Sequence, residues 1–209
     1  MYRKGREVNI ETLLKKIIEA NLDSPVYRVK RFLDTKEKKF LYVFLSTRTR
    51  DEITLEATQR FYSVYRSIWE IDDVDRVARL IQPVAFYRVK AKNLYQISRE
   101  YDHIPESLEE LLEMPGVGIK IAKVFLAEIG REYIGVDTHV HRISNRLGLV
   151  NTKTPEQTDR ELERIVPDNL KPEFNKHLVA LGQSICKARS PKCKICPVNS
   201  MCKYFLKTS

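Results

Sequence analysis

The amino-acid sequence predicts an all-α protein. Residues that break helices are scarce, with 7 Gly and 9 Pro in 209 residues. Five apolar residues near the N-terminus recur at the i, i+3, i+4, i+7, i+8 spacing of an amphipathic helix: Ile10, Leu13, Leu14, Ile17 and Ile18. No strand-like alternation follows residue 35. We therefore expect about ten short helices that end in a cysteine-rich loop.

Helix-starting residues divide the N-terminal half of the chain. Three polar residues stand at expected helix starts: Asn9, Asp51 and Asp73. The continuous apolar run Phe40–Leu45 predicts a buried helix. The helix that Asp51 caps is expected to run to about Trp69, and the helix after Asp73 is expected to end before Pro83. A further helix is expected over 88–100, while residues 24–35 receive no assignment.

Capping boxes predict the helix starts of the C-terminal half. Each box is a hydroxyl residue followed three positions later by Glu or Gln, and the two are Ser107 with Glu110 and Thr154 with Gln157. Pro155 at the first helical position strengthens the second box. The first of these helices is expected to end at Met114. The last long helix is expected to run from about Pro172 to just before Cys186.

Composition favours a globular protein with a polyanionic partner. The hydrophobic fraction of 43% excludes wholesale disorder, and the length suits one large domain or two small ones. No run approaches the ~18 apolar residues of a membrane span, and no apolar signal-peptide core follows the basic start of the chain. We expect an intracellular, cytoplasmic protein without a membrane partner. The net charge of +9 suggests a polyanion without identifying it.

The segment Met114-Pro-Gly-Val-Gly-Ile-Lys120 lies between two predicted helices. Such a turn exposes backbone N–H groups at the start of the second helix, where the unpaired donors and the helix dipole favour an anion such as phosphate. Gly116 and Gly118, with Val117 between them, would allow close approach to the backbone. The alternative is an ordinary turn between two packed helices.

Lys120 falls in the first turn of the second of these helices. The positive end of the helix dipole disfavours a cation there and so favours the neutral amine. A neutral amine is what a Schiff-base nucleophile needs. The alternative is a surface lysine without a catalytic role.

Asp137 is the predicted N-cap of a helix that runs to about Leu147. A capping carboxylate could also stabilise a developing sugar cation. His139 and His141 lie two residues apart, so they do not share a helix face and no metal site is expected there. They are expected to be structural or to contact DNA.

The cysteines form one group, spaced Cys-x6-Cys-x2-Cys-x5-Cys: Cys186, Cys193, Cys196 and Cys202. Four cysteines in so short a segment predict a single metal site. Zinc bound by four thiolates usually shows two Cys-x2-Cys pairs, and this chain has one. An iron–sulfur cluster also takes four thiolates, so the spacing leaves both metals open.

The cysteine segment is strongly basic. It contains no acidic residue and six cations: Lys187, Arg189, Lys192, Lys194, Lys203 and Lys207. These side chains are candidates for phosphate contacts. The alternative is a solvated tail that keeps the protein soluble.

Taken in order, Pro115-Gly-Val-Gly-x-Lys120, Val136-Asp-Thr-His139 and the cysteine pattern resemble the endonuclease III family of helix-hairpin-helix DNA glycosylases. The resemblance extends from about residue 36 to Tyr204. It implies two helical lobes around a DNA-binding groove. One lobe would be a six-helix barrel over 25–133 with the helix-hairpin-helix at 107–128, and the other, made of 1–24 plus 134–209, would carry the cluster loop.

The resemblance also implies an activity. It implies a [4Fe–4S] cluster on the four cysteines, Lys120 as the nucleophile and Asp137 as its catalytic partner. Family members flip a damaged base out of double-stranded DNA, displace it by lysine attack on the sugar C1′, and nick the strand by β-elimination. Their typical substrates are oxidised pyrimidines such as thymine glycol, together with abasic sites, and the proteins are monomers.

Two further segments resemble the family less closely. Leu45-Ser-Thr-Arg-Thr-Arg-Asp51 aligns with a loop that fills the gap left by the flipped nucleotide, and Arg48 stands where the family commonly has Gln. Ala85-Phe-Tyr87 aligns with a turn whose apolar residue wedges into the base stack, which makes Phe86 the wedge candidate. The alternative for Phe86 is a core aromatic residue.

Other functions remain open on the same scaffold. Adenine-mismatch glycosylases need a catalytic carboxylate before the Arg48 loop, and Phe40–Ser46 has none. They and the thymine-mismatch relatives lack a lysine at the position of Lys120. A non-enzymatic iron–sulfur DNA-binding protein would have no reason to keep both Lys120 and Asp137. A zinc-binding structural protein is the third alternative.

Overall fold

The computed structural model describes residues 8–208, and these residues form helices and connecting segments without a β-strand. The α-helices are α1 Ile10–Glu19, α2 Pro25–Arg28, α3 Lys36–Ser46, α4 Asp51–Val64, α5 Val74–Ile81, α6 Tyr87–Glu100, α7 Leu108–Glu113, α8 Ile119–Glu128, α9 Thr138–Leu147, α10 Pro155–Ile165, α11 Lys171–Ser184 and α12 Lys203–Thr208. Short 3₁₀ turns occur at Val29–Arg31, Ile68–Glu70, Asp168–Leu170, Cys193–Ile195 and Asn199–Met201. The predicted all-α class is confirmed. The unassigned segment 24–35 contains α2 and the first 3₁₀ turn.

The chain divides into two compact units. Arg28–Gly130 forms one, which we call the mid-chain unit. The described parts of Met1–Tyr27 and Arg131–Ser209 form the other, which we call the two-ended unit. The lobe bounds that the resemblance implies, 25–133 and 1–24 plus 134–209, stay a prediction. Within residues 8–208, no helix is both long and apolar enough to cross a membrane.

Helix α3 forms the centre of the mid-chain unit. Its residues from Phe40 to Leu45 are all buried, as the continuous apolar run predicts. The Phe40 ring packs edge-on against Phe125 of α8, with 5.5 Å between ring centroids, and stacks against Phe44 at 5.9 Å. This packing anchors α8, the helix that carries Lys120, to the core of its unit.

Helices α1 and α11 share the core of the two-ended unit. Leu13 and Ile17 are fully buried in the same apolar cluster as Phe174 and Leu178 of α11. The Asn9 side chain accepts a hydrogen bond from the backbone N–H of Thr12 at 2.8 Å, so the predicted N-cap is confirmed. Ile18, the last residue of the predicted apolar stripe, is exposed. The stripe that α1 buries is therefore one residue narrower than the sequence predicts.

The helix predicted from Asp51 to Trp69 is wrong at both ends. Asp51 is the first residue of α4, and Arg50 is the N-cap. The Tyr42 hydroxyl donates to the Asp51 carboxylate at 3.0 Å, so that carboxylate bonds to α3. The helix ends at Val64, and Trp69 lies in the separate 3₁₀ turn that follows.

Side-chain contacts account for the early end of α4. Tyr65 adopts an extended backbone, and its hydroxyl donates to Asp72 at 2.6 Å. Glu37 on α3 accepts from the Ser67 hydroxyl and from the backbone N–H of Ile68, both at 2.8 Å. In a longer helix, the backbone N–H of Ile68 would instead bond to the carbonyl four residues earlier, so its bond to Glu37 favours the end of α4 before this point.

The remaining predicted N-caps are confirmed. In each case a side-chain oxygen accepts from a backbone N–H two or three residues later: Asp73 from Asp75 and Arg76, Ser107 from Glu110, Asp137 from Val140, and Thr154 from Gln157. These caps fix where α5, α7, α9 and α10 begin. The capping hydrogen bond also orients the carboxylate of Asp137, which is a candidate site residue.

Candidate functional site

The turn between α7 and α8 uses its two glycines differently. Gly116 has φ +77°, and a Cβ atom there would overlap the Asn93 side chain and lie 3.3 Å from Phe44. Only glycine fits that position. Gly118 has φ −99° and ψ 172°, which any residue adopts, and a Cβ there would meet nothing within 4 Å. The fold therefore requires Gly116, whereas Gly118 leaves open space at the start of α8.

Val117 stabilises the turn between α7 and α8. Its side chain is buried, and its backbone N–H donates to the Met114 carbonyl at 3.1 Å. This N–H is therefore engaged within the turn. An anion at this end of α8 would use the donors of the first helical turn that follow it.

Lys120 is the second residue of α8, and its side chain is exposed. Its predicted place in the first turn of that helix is confirmed. Lys120 belongs to the mid-chain unit, whereas Asp137 belongs to the two-ended unit. The catalytic role of Lys120 stays a prediction at this point.

Asp137 is fixed by hydrogen bonds on both sides of it along the chain. Its Oδ1 atom accepts from the backbone N–H of Val140 at 2.8 Å, which caps α9. Two residues earlier, the Gly135 carbonyl accepts a bond from the side-chain amide of Asn175 on α11. The carboxylate is only partly buried, so it is oriented by the helix and still accessible.

Arg48 and Phe86 lie together, although they are far apart in the sequence. The Arg48 guanidinium carbon lies 5.5 Å from the centroid of the Phe86 ring, a cation–π contact. Phe86 is 61% exposed, so it is not the core aromatic residue that the sequence left as an alternative. Both residues have a left-handed backbone, with φ of +57° for Arg48 and +58° for Phe86.

The two histidines after Asp137 take part in packing within the two-ended unit. The Nδ1 atom of His139 lies 3.1 Å from a guanidinium nitrogen of Arg142, and a Cβ atom at Gly182 of α11 would overlap the ring. His141 pairs with the Thr158 hydroxyl at 2.6 Å. These contacts are those of structural residues. DNA contact by His139 stays a prediction.

The four cysteines surround one cavity. They are free thiols, and together with Arg146 and Tyr204 they line a small cavity of about 20 Å³. Burial raises the pKa of the Cys196 thiol to about 11, and the neighbouring thiols contribute in the same direction. In the part of the chain that is described, no group of three or more His, Cys, Asp or Glu side chains is arranged to hold a metal ion.

Arg146 contacts this cysteine cavity, and the sequence analysis missed it. Its guanidinium donates to the Cys186 sulfur at 3.3 Å and stacks on the Tyr204 ring at 5.0 Å. Arg142, one turn earlier on α9, donates to the Cys186 carbonyl at 3.0 Å. The available signal was the four-residue spacing of two arginines on the helix that follows Asp137. An iron–sulfur cluster bonds each thiolate to a different iron, so its four sulfur ligands lie further apart than the ligands of a single metal ion. Four cysteines that line one cavity, one of them bonded to a guanidinium, fit such a cluster.

The predicted phosphate-contacting cations beside the cysteines are exposed: Lys187, Arg189, Lys192 and Lys194. The Lys187 ammonium also donates to the Gln183 carbonyl at the end of α11. Exposure is what a phosphate-contacting surface requires. The contact itself stays a prediction.

Family models match two parts of the chain. The model described as HhH-GPD superfamily base excision DNA repair protein matches residues 41–168. The model of the iron–sulfur binding domain of endonuclease III matches residues 186–202, which contain the four cysteines. The first match covers the turn, Lys120 and Asp137, and the second covers the cysteine cavity.

Known proteins resemble the chain over most of its length. "Endonuclease III" of Thermotoga maritima is 41% identical over 169 residues, a match that spans 77% of this chain and 79% of that one. An "Endonuclease III homolog" of Encephalitozoon cuniculi is 35% identical over 189 residues, spanning 80% and 79%. In both cases the match covers 79% of the relative's own length.

Solved structures extend the similarity to the fold. A non-covalent endonuclease III–DNA complex matches with a TM-score of 0.76 and 26% identity, over 95% of this chain and 96% of that one. A trapped endonuclease III–DNA covalent intermediate matches with a TM-score of 0.76 and 25% identity, over 96% and 99%. The chain therefore belongs to the HhH-GPD superfamily of base excision DNA repair proteins and, within it, to the endonuclease III family of DNA glycosylases that carry a [4Fe–4S] cluster.

Proposed function

We propose that this glycosylase is bifunctional: it removes oxidised pyrimidines such as thymine glycol from double-stranded DNA and then cleaves the abasic site as a lyase. Lys120 is the nucleophile in this proposal, and Asp137 is its catalytic partner. The protein acts as a monomer. The hairpin-bearing barrel lobe is assigned to 25–133, and the cluster lobe to 1–24 plus 134–209.

The observation that carries this proposal is the position of Lys120. Its exposed amine stands on the second residue of α8, beside the open space at Gly118. A phosphate at the N-terminus of α8 would hold the DNA backbone next to that amine. Binding and nucleophilic attack would then use the same end of one helix.

The chemistry conserves atoms and charge. The neutral amine of Lys120 attacks the sugar C1′, the glycosidic bond breaks, and the base leaves with the bonding electrons and takes up a proton. The aminal then opens to an iminium at C1′. Loss of a C2′ proton expels the 3′-phosphate, which nicks the strand, and water hydrolyses the imine to restore Lys120. The role assigned to the Asp137 carboxylate is to stabilise the positive charge that develops on the sugar.

A relative supports the lysine mechanism. One of the matching structures is described as a trapped covalent intermediate between endonuclease III and DNA. A covalent intermediate is what attack by a protein amine on C1′ produces. Transfer of that chemistry to this chain rests on Lys120 at the corresponding turn.

The cluster site takes no part in these steps. Cys186, Cys193, Cys196 and Cys202 would hold the [4Fe–4S] cluster through their thiolates. When bound, the cluster ties together a loop that has too few apolar residues for a core of its own. The exposed cations next to those cysteines, such as Lys192 and Lys194, would then face phosphates.

Arg48 and Phe86 are proposed to act on the duplex. The exposed Phe86 ring would wedge into the base stack, and Arg48 would occupy the space that the flipped nucleotide leaves. A damaged base costs less to flip than a paired one, which contributes to selectivity. Their stacking contact makes the two side chains a single element.

Borohydride trapping tests the proposal. The cluster-loaded protein is mixed with duplexes that contain one thymine glycol or one abasic site, and borohydride reduces any imine to a stable cross-link. We expect the wild-type protein to cross-link to both duplexes and Lys120→Ala to cross-link to neither. Lys123→Ala, on the same helix, is the matched control and should behave as wild type.

Two other outcomes would change the assignment. A cross-link to the abasic duplex alone would leave a lyase whose base specificity lies elsewhere. No cross-link to either duplex would refute the bifunctional mechanism and favour a monofunctional glycosylase or a DNA-binding protein.

A further inference from the structure

The loops that carry Arg48 and Phe86 are unusual in their backbone. Both residues have positive φ, a conformation that bulky side chains rarely adopt because Cβ meets the carbonyl oxygen. Such strain persists only where surrounding contacts hold it in place. Within the mid-chain unit, three contacts do so, and one residue makes two of them.

The first contact joins the two loops to each other. The Thr49 hydroxyl accepts the backbone N–H of Ala85 at 3.1 Å. Thr49 directly follows Arg48, and Ala85 directly precedes Phe86. The backbones beside the two strained residues are therefore linked by a hydrogen bond.

The second and third contacts converge on Lys90 of α6. Its backbone N–H donates to the Phe86 carbonyl at 3.0 Å, in the first turn of the helix that Phe86 begins. Its ammonium donates to the Leu45 carbonyl at 2.7 Å and to the Thr47 carbonyl at 3.1 Å. Lys90 thus bonds the Phe86 loop through its backbone and the Arg48 loop through its side chain.

Burying the Lys90 ammonium costs free energy, and its hydrogen bonds require a lysine at this position. Lys90 is only 7% exposed, and its ammonium donates to two backbone carbonyls. The carbonyls lie at the C-terminal end of α3, where unpaired acceptors and the helix dipole favour a cation. Burial lowers the pKa of Lys90 to about 8. An aliphatic residue would fill the space without that burial penalty, but it could not hold the two carbonyls.

We propose that Lys90 is a positioning residue that holds the Arg48 loop and the Phe86 loop in register, so that the stacked pair enters the duplex as one preorganised element. This inference rests on the proposed roles of Arg48 and Phe86. Without Lys90, each loop can relax to an ordinary backbone conformation, and the stacked contact is lost. Opening of the duplex then slows, whereas chemistry on a site that needs no opening continues.

The test compares two lysines of the same helix. Lys90→Met keeps the length of the side chain and removes its donors, and Lys92→Met removes the same charge from an exposed position on α6. Two reactions are measured: excision of thymine glycol from a duplex, and borohydride cross-linking to a single-stranded abasic oligonucleotide. A 2-aminopurine placed opposite the lesion reports unstacking by its fluorescence, independently of chemistry.

We expect Lys90→Met to lower duplex excision by on the order of 100-fold and to remove the fluorescence rise. Its single-stranded cross-linking should stay within about twofold of wild type, as should every measurement on Lys92→Met. Thr49→Val removes the Ala85 bond without changing charge or volume much, and we expect the same pattern with a smaller loss. This second variant keeps the test informative if Lys90→Met does not fold.

The inference is overturned if Lys90→Met and Thr49→Val excise the damaged base as wild type does. It is also overturned if they lose both reactions equally, because that is the result of a general structural defect. If the wild-type protein forms no cross-link at all, the lysine mechanism fails. The fluorescence rise on DNA binding then decides the inference about Lys90 by itself.

Discussion

The two glycines of the turn before α8 should respond in opposite ways to an added methyl group. Gly116→Ala places a Cβ at φ +77°, where it overlaps the Asn93 side chain and approaches Phe44 to 3.3 Å. A left-handed alanine costs roughly 1–2 kcal/mol, and the overlap adds an overpacking cost of about 1–3 kcal/mol. We therefore expect the free energy of unfolding of the mid-chain unit to fall by about 2–5 kcal/mol.

Gly118→Ala should leave the fold intact. The backbone at Gly118 is extended, and the new methyl group meets nothing within 4 Å. Replacing glycine by alanine at a compatible position stabilises a protein by about 0.4–1 kcal/mol, because the unfolded chain loses freedom. The methyl group would nevertheless occupy the space through which a phosphate reaches the N–H groups of α8, so affinity for DNA should fall.

Urea unfolding followed by circular dichroism measures the first effect, and fluorescence anisotropy with an abasic-analogue duplex measures the second. The expected result is an unstable Gly116→Ala and a stable Gly118→Ala with weakened DNA binding. A Gly116→Ala protein with an unchanged unfolding midpoint would refute the steric argument. A Gly118→Ala protein that binds DNA as wild type does would refute the assignment of the open space to a phosphate.

Three further predictions concern other parts of the molecule. Phe86→Ala should slow duplex excision while changing the unfolding free energy by less than about 0.5 kcal/mol, as expected for an exposed side chain; a large loss of stability in urea would contradict this. Glu173 accepts from His177 at 3.0 Å and from the Lys176 ammonium at 2.6 Å, and these two contacts hold the pKa of Glu173 at about 2 instead of its usual 4.5. The stability they provide is present above pH 4.5 and is lost as the pH falls towards 2, so the Tm of Glu173→Gln should fall less steeply with decreasing pH than the Tm of the wild type; equal slopes of Tm against pH would contradict the shift. If Lys192 contacts a phosphate, Lys192→Ala should reduce the slope of log K against log salt by about 0.9, and an unchanged slope in salt titrations would exclude the contact.

Features set by neighbouring residues could be predicted from the sequence. The caps at Asp73 and Asp137 depend on a side chain and backbone groups two or three residues away, so the residue types alone reveal them. The cysteine group could be found for the same reason, because all four thiols lie in one short segment. The family resemblance added proposed roles for Lys120 and Asp137 that spacing alone could not supply.

Features set by distant contacts could not be predicted. Arg48 and Phe86 are not residues that favour a left-handed backbone, so nothing local indicated their conformation or their stacking. In the sequence Lys90 is one cation among several on α6, and nothing local indicates that its ammonium bonds to the Leu45 and Thr47 carbonyls. The predicted end of α4 was wrong because Glu37, on another helix, bonds to two residues that follow the actual end of α4.

The two-ended unit has a consequence for synthesis on the ribosome. Helix α1 leaves the ribosome about 160 residues before α11, the helix whose Phe174 and Leu178 complete its core cluster. At about 5–20 residues per second, this delay is roughly 10–30 s. A ten-residue helix is marginal alone in water, so Leu13 and Ile17 stay uncovered throughout that time. Arg28–Gly130 is synthesised before α11, so the mid-chain unit can acquire its structure first, and the nascent chain exposes the apolar face of α1 until α11 has been synthesised.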